Sequence, residues 1–541
     1  MFQSGHSLSR REFIRLAGGA GLATAFPAFA AGSTVGDDTV TISILHTTDL
    51  HGHILPTLNY DNTPDVGGLA RCVTQIRKWR RKNPNSILID VGDVYQGTDV
   101  GLRTRGSLMI DLFNHLDFDA WVVGNHEFDW GIDPFVAALE RSTMPVLAAN
   151  MAMEERAAGE TSDTRHPFSK VQPYIIKEKA GIKVAIIGIT TPGMQFWFRP
   201  EFIRDLSFHY PIEPVRRAIA GAKHQGANAI VLAGHMGLKQ RGGGDDFANT
   251  LVGLTNEFPE IPVFIAGHTH QLIPRRMLGN SIVTQADHFG IHAGKVDLRF
   301  DRNSRRLIRC DASCELMDRR VGLNHTVLSR ARSHLAISEK IMDEPIGELA
   351  EAFRVRSNTN QPSDVELLIG AAITESLHER GKTVDGVFHG LFDTTRHLAA
   401  GRKTVADIWN ILPYENFVVT AELSRDELQV VMEEVYTSLD PRSLVGFDVR
   451  TSGTGRDRKV ISLTPNNGHL RERGDKYVIA FNTFDSRSAG HRFMKLRQIL
   501  ERPDAQCVFH HVQTRDALID YFRRHKVVRK SSLYWAIPAA A

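Results

Sequence analysis

Between residue 39 and about residue 300 the chain alternates short, nearly unbroken apolar runs with stretches in which apolar residues recur every three or four positions. The runs are 40–45, 86–89, 120–123, 145–148, 184–187, 229–232 and 262–265. Such runs predict strands covered on both faces, because a strand with one wet face alternates polar and apolar residues instead. Between the first two, Leu69, Cys72, Val73, Ile76 and Trp79 recur at helical spacing, while Arg77, Lys78, Arg80, Arg81 and Lys82 fall largely elsewhere. This predicts an amphipathic helix whose basic residues gather near its C-terminal end, where positive charge suits the helix dipole. Strands alternating with helices predict an α/β (α+β) fold.

After residue 300 the texture changes. Residues 301–345 are charged and carry a helical stretch near 324–341 that ends at Glu344-Pro345, which reads as a connection between domains. A second, smaller αβ unit is expected over 346–535. The first thirty residues read as a leader: Ser9-Arg10-Arg11-Glu12-Phe13-Ile14-Arg15 precedes an uncharged apolar run over 16–29 that ends in Ala28-Phe29-Ala30. The Arg pair followed by Phe-Ile resembles a twin-arginine export signal, which implies a bacterial protein sent to the periplasm, or otherwise exported, by the twin-arginine machinery. No other segment has the length of uncharged apolar sequence that a membrane helix needs, so no stable membrane span is expected.

Composition narrows the function. Of 541 residues, 42% are hydrophobic and 23% charged, which suits folded domains and excludes global disorder. Lys+Arg 65 against Asp+Glu 62 leaves a net charge of +3, too balanced for a chain whose main task is to hold nucleic acid. Four cysteines exclude a disulfide scaffold and a thiolate metal cluster, whereas 24 histidines point to nitrogen and carboxylate ligands for any metal. The spacing of Cys310 and Cys314 permits but does not require a bond.

The chemistry follows the strands. Asp49-Leu50-His51, Gly92-Asp93, Gly124-Asn125-His126-Glu127-Phe128-Asp129, Gly234-His235 and Gly267-His268-Thr269-His270 each lie just beyond an apolar run. In an open αβ sheet the carboxyl ends of the strands form one rim, so these loops converge. The converging set of Asp, Asn and His suits Zn, Mn or Fe better than Mg or Ca alone. Each glycine that does stand beside a ligand lets the backbone turn sharply and approach an ion.

These five blocks resemble the signature of the calcineurin-like metallophosphoesterases. The fuller strings Asp49-Leu50-His51-Gly52-His53, Gly92-Asp93-Val94-Tyr95-Gln96-Gly97 and Asn125-His126-Glu127-Phe128-Asp129 are similar to the bacterial 5′-nucleotidase branch. The resemblance implies a four-layer β-sandwich flanked by helices over 38–300 and an αβ substrate-recognition domain over 346–535. It implies two divalent metal ions, one held by Asp49, His51, Asp93 and His270 and the other by Asp93, Asn125, His235 and His268. His126 would stand beside the phosphoryl group with Asp129 fixing its tautomer; the lesser alternative for Asp129 is the N-cap of a helix over 131–139.

In the C-terminal domain the resemblance implies two aromatic rings gripping a base and arginines meeting phosphate. Phe484 stands where one ring is expected, Phe447 is a candidate second, and Arg396 is a displaced candidate for phosphate. Leu412-Pro413-Tyr414-Glu415-Asn416 keeps the shape of the family's Pro-Phe-x-Asn, while the family's Gly-Gly-Asp-Gly reads Ser488-Ala489-Gly490-His491 and loses its acid. The expected activity is hydrolysis of nucleoside 5′-monophosphates or related nucleotide esters. The alternatives are 2′,3′-cyclic-nucleotide phosphodiesterase or UDP-sugar hydrolase activity, a thiosulfohydrolase-like enzyme, and a non-catalytic metal-binding surface protein.

Overall fold

The structure, a computed structural model, describes residues 38–153, 167–198, 200–239, 245–355, 361–391, 397–438, 442–454, 457–466, 476–488 and 492–533. The leader over 1–30, Arg396 and the Ala489-Gly490-His491 string lie outside the described residues.

Two sheets share the region before residue 320. The first has seven strands in the order Leu307–Leu316, His292–Asp301, Thr39–Thr47, Ser86–Asp90, Ala120–Val122, Val146–Leu147 and Val171–Gln172. The second has six, in the order Leu272–Leu278, Ser281–Ala286, Val263–Ala266, Ala229–His235, Ile182–Thr190 and Tyr174–Lys179. Each apolar run of the sequence overlaps one of these strands. Thr39–Thr47 runs parallel to Ser86–Asp90, with Ser43 opposite Ser86 and Thr47 opposite Asp90. Ala229–His235 lies parallel between Ile182–Thr190 and Val263–Ala266.

The runs are unbroken because both faces are covered. Ile42, Ile44, Ile87 and Ile89 meet Val184, Ile186, Val231 and Val263 between the two sheets. Their neighbours Leu45 and Leu88 point outward onto Leu69, Val73, Leu112 and Phe113 of the helices Leu69–Lys82 and Ser107–His115. Ile187, Leu232 and Phe264 do the same against Val215 and Leu254 of Ile212–His224 and Leu251–Glu257. The layers are therefore helix, sheet, sheet, helix, and each fully buried aliphatic side chain contributes about 1.5–3 kcal/mol. Leu69–Lys82 buries Leu69, Cys72, Val73 and Ile76 and ends in Arg80, Arg81 and Lys82, as its spacing predicts.

The expected connection over 301–345 divides differently. Leu307–Leu316 is the antiparallel edge strand of the first sheet, with His292 opposite Leu316 and Phe300 opposite Leu307. It reads as charged because Arg309, Asp311, Ser313 and Glu315 face solvent while Cys310, Ala312 and Cys314 turn inward. An extended strand sets Cys310 and Cys314 about 13 Å apart, beyond the reach of a disulfide, and both are free thiols. The expected helix is His325–Met342, capped by the Asn324 side chain, which accepts from Val327 N–H at 3.2 Å.

Beyond it, a five-stranded sheet in the order Ser443–Val445, Gly386–His389, Lys476–Asn482, Phe417–Ser424 and Val508–Gln513 packs with helices Asp364–His378, Arg425–Thr437 and Thr514–His525. Ser363 with Glu366 and Ser424 with Glu427 form reciprocal capping boxes at two of those helices. Among the described residues no helix is long and apolar enough to cross a membrane.

Candidate metal centre

Because Thr39–Thr47, Ser86–Asp90, Ala120–Val122, Ala229–His235 and Val263–Ala266 run the same way in their sheets, the loops after them share one rim. Asp49, His51, Asp93, His268 and His270 all adopt left-handed backbone, with φ of 51°, 47°, 55°, 69° and 50°. Non-glycine residues rarely do so, and such strain gathers where surrounding structure holds a site in place. Gly124 shows why a glycine is needed: a Cβ there would lie 2.2 Å from Asp93 Oδ1 and 2.4 Å from the Asp93 nitrogen.

The side chains form two sets that meet at Asp93. In the first, His51 Nε2 and His270 Nε2 are 3.0 Å apart, His270 Nε2 is 3.5 Å from Asp49 Oδ1, and His51 Nε2 is 3.7 Å from Asp93 Oδ2. In the second, His235 Nε2 lies 3.1 Å from Asp93 Oδ2 and 3.2 Å from Asn125 Oδ1, and His268 Nδ1 lies 2.8 Å from the same Asn125 oxygen. Every residue of the expected ligand set is in one of the two.

The far sides of the rings decide what the near sides offer. His51 Nδ1 donates to the Gln96 carbonyl at 2.8 Å and His235 Nδ1 to the Val91 carbonyl at 2.7 Å. In its neutral form each ring then presents an Nε2 lone pair to the centre, where it faces other acceptors. Lone pairs converging in a buried space demand a proton or a cation between them. Burial opposes charge on His235, yet Asp93 outweighs it and lifts the ring to about 9. Burial also holds His51 well below the ordinary imidazole range and His268 at about 4, so these rings stay neutral and able to ligate. The donor set fits two divalent cations sharing Asp93.

Backbone amides hold the frame. Glu127 accepts from the N–H groups of Asp93, Val94 and Gly124 at 3.0, 2.8 and 2.7 Å. His268 N–H donates to Asp49 Oδ1 at 3.0 Å, and His126 N–H donates to Asp93 Oδ1 at 2.8 Å. Glu127 is thus committed to the loop and not to a cation.

His126 sits beside both sets, with Nε2 4.0 Å from Asp93 Oδ2 and a quarter of its side chain exposed. Its Nδ1 meets Asp129 Oδ2 at 2.7 Å. Burial disfavours the imidazolium, but Asp129 and Asp93 prevail and raise it to about 10. The alternative role of Asp129 is excluded, because helix Ile132–Arg141 is capped at Gly131 and no side chain bonds its first turn.

Three aromatic residues complete the wall. Tyr60 O–H lies 2.8 Å from His270 Nδ1 and 2.8 Å from the Tyr414 hydroxyl. The Tyr414 ring stacks on His126 at 5.8 Å, and Trp197 stacks on His268 at 5.3 Å. Tyr414 comes from the Pro-Tyr-Glu-Asn string, whose likeness to a family motif was its only sequence signal; Tyr60 and Trp197 carried none.

The expected substrate residues of the C-terminal region separate. Phe447 is 1% exposed and packs on Val449, Val460, Leu463 and Tyr477, so it belongs to the core and cannot grip a base. It opens the strand Phe447–Ser452 with its ring turned inward, a choice of face that one aromatic residue does not reveal. Phe484 is 36% exposed, and the Arg492 guanidinium lies 5.8 Å from its ring centre. Asp485 is taken up by a buried pair with Arg442, whose Nε is 2.9 and 2.8 Å from its two oxygens.

Residues 42–272 match the calcineurin-like phosphoesterase family. Endonuclease YhcR of Bacillus subtilis (strain 168) is 24% identical over 91% of this chain, which spans 41% of that protein's length. A protein of Treponema pallidum (strain Nichols) named "Probable 5'-nucleotidase" is 25% identical over 90% of this chain and 92% of its own. The crystal structure of a 5'-nucleotidase precursor from Thermus thermophilus shares the fold with a TM-score of 0.68, at 22% identity over 90% of this chain and 97% of that one.

Proposed function

We propose that this chain, whose residues 42–272 are a calcineurin-like phosphoesterase domain, hydrolyses nucleotide phosphate esters, nucleoside 5′-monophosphates foremost, to nucleoside and phosphate. The observation that carries the reading is the pair of donor sets joined at Asp93, with His126 on their open side. Asp49, His51, Asp93 and His270 would hold one divalent cation and Asp93, Asn125, His235 and His268 a second, and such a pair would supply Lewis acidity toward phosphoryl oxygens and a water of lowered pKa.

The chain's own groups do the rest. Asp93 directs Oδ2 toward both sets while Oδ1 stays fixed by the His126 N–H. Asp129 keeps the proton on His126 Nδ1, which aims Nε2–H at the open side. From there it can meet a phosphoryl oxygen or pass a proton to the departing alkoxide. Tyr414 stacks on His126 and Trp197 on His268, lining the centre with apolar ring faces. Phe484, half-exposed beside Arg492, is the remaining candidate ring for a base.

The nucleotide assignment is supported by the name of the Treponema protein and by the sequence strings. The leader string supports export to the periplasm by the twin-arginine route. The test is phosphate release from AMP, UDP-glucose, 2′,3′-cyclic AMP and a bis-aryl phosphate by protein reconstituted with Mn²⁺. AMP turning over fastest supports the reading, preference for the cyclic ester replaces it with phosphodiesterase action, and no release from any ester by the metal-loaded chain overturns it.

A further inference from the structure

A buried polar path runs from the C-terminal region to the first donor set. Arg515, at the start of helix Thr514–His525, is 1% exposed, and its guanidinium lies 3.4 Å from the centre of the Trp409 ring. It donates to the carbonyls of Leu412 and Pro413, each at 3.3 Å, and to Glu415 Oε1 at 2.7 Å. The other oxygen of Glu415 accepts from Gln96 Nε2. Gln96 is fully buried, and its carbonyl is the group that accepts the hydrogen bond from His51 Nδ1–H at 2.8 Å. The turn is pressed on the ring: at Gly97, φ 132°, a Cβ would lie 2.8 Å from His51 Cβ.

This arrangement costs more than stability alone requires. Removing a guanidinium and a carboxylate from water carries a desolvation penalty that an apolar pair of the same volume avoids. What the ion pair adds is direction, since the fork of Arg515 holds two carbonyls and one carboxylate oxygen at once and leaves the second oxygen aimed at Gln96. Among the described residues the second donor set has no such attachment: His235 leans on Val91, which follows the strand Ser86–Asp90 of the neighbouring sheet, still within the region before residue 320. The two sets therefore depend differently on the C-terminal region.

We propose that Gln96 and Glu415, braced by Arg515, are positioning residues through which the C-terminal region sets the orientation of His51 and thereby the cation affinity of the Asp49, His51 and His270 set alone. The proposal rests on the reading of that set as a metal site. Groups behind a ligating histidine typically change metal affinity by about 10–100-fold when removed.

The test titrates Mn²⁺ alone into the metal-stripped full chain by calorimetry, for the wild type, Gln96→Leu, Glu415→Ala and the double variant. Gln96→Leu leaves the Arg515 pair intact and so reports even where Glu415→Ala fails to fold. The expected result is two Mn²⁺ in the wild type, and in each single variant one of them weakened about 10–100-fold with the other unchanged. The double variant should be no weaker than the singles, and saturating Mn²⁺ should restore turnover. Unchanged affinity at both sites, equal weakening at both, or additive losses in the double variant would overturn the proposal. A wild type that binds no pair of Mn²⁺ overturns the metal reading itself, and with it this proposal.

Discussion

Asp93 faces three imidazoles at once, with Oδ2 3.1 Å from His235, 3.7 Å from His51 and 4.0 Å from His126. Burial alone would raise its pKa, but the nearby rings, His235 first, hold the carboxyl well below the ordinary range. His126 differs from the other two in being tied to Asp129, through Nδ1 at 2.7 Å, and in having a quarter of its side chain exposed. His126→Asn should therefore keep the metal content of the wild type while kcat falls about 10²–10⁴-fold. Unaltered turnover at full occupancy would remove His126 from the reaction. A second residue-scale consequence concerns His46, which lies buried on Thr39–Thr47 with neither ring nitrogen partnered among the described residues. Burial lowers its pKa to about 3. The folded ring is then neutral where the unfolded one, at about 6.5, is protonated, so the unfolded state binds the extra proton as pH falls below 6.5. Its contribution to stability is complete above pH 6.5 and is lost toward pH 3, by about 1.4 kcal/mol per pH unit at most. Denaturant unfolding at pH 7, 6, 5 and 4 should show a shallower decline for His46→Leu than for the wild type; parallel declines would contradict the assignment.

At the scale of elements, strands and loops divide the labour. The strands are rigid because both faces are packed, and the loops after them carry left-handed residues that only such a frame can hold. Phe447 and Phe484 show how a strand's face decides an aromatic's role. Phe447 lies in a core with Tyr477 at 5.1 Å, so Phe447→Ala should lower stability by about 3–5 kcal/mol in denaturant unfolding. Phe484 is on the open side of helix Thr483–Ser486. Phe484→Ala should leave stability nearly unchanged and raise KM for AMP more than KM for a small aryl phosphate. Equal effects on both substrates would place its ring outside the base site.

For the whole molecule, the central strands were legible because unbroken apolar runs have no other inexpensive use, and the centre was legible because its ligands follow those strands within a few residues. The edge strand Leu307–Leu316 escaped notice because half of it faces water and reads as polar. The contacts that join the two halves were illegible for a different reason. Gln96 and Glu415 are 319 positions apart, and neither hints at the other until the chain is folded. Tyr60 and Tyr414, 354 positions apart, present the same case. Short-range pattern thus showed where the chemistry lies but not how the C-terminal region closes over it.

The proposed hydrolysis requires two cations acting together at Asp93. Phosphate release from AMP, followed as Mn²⁺ is added stepwise to the metal-stripped chain, tests this most directly. Release should stay near zero through the first equivalent, rise through the second and level off there; a plateau at one equivalent, or release that a chelator leaves untouched, would contradict it.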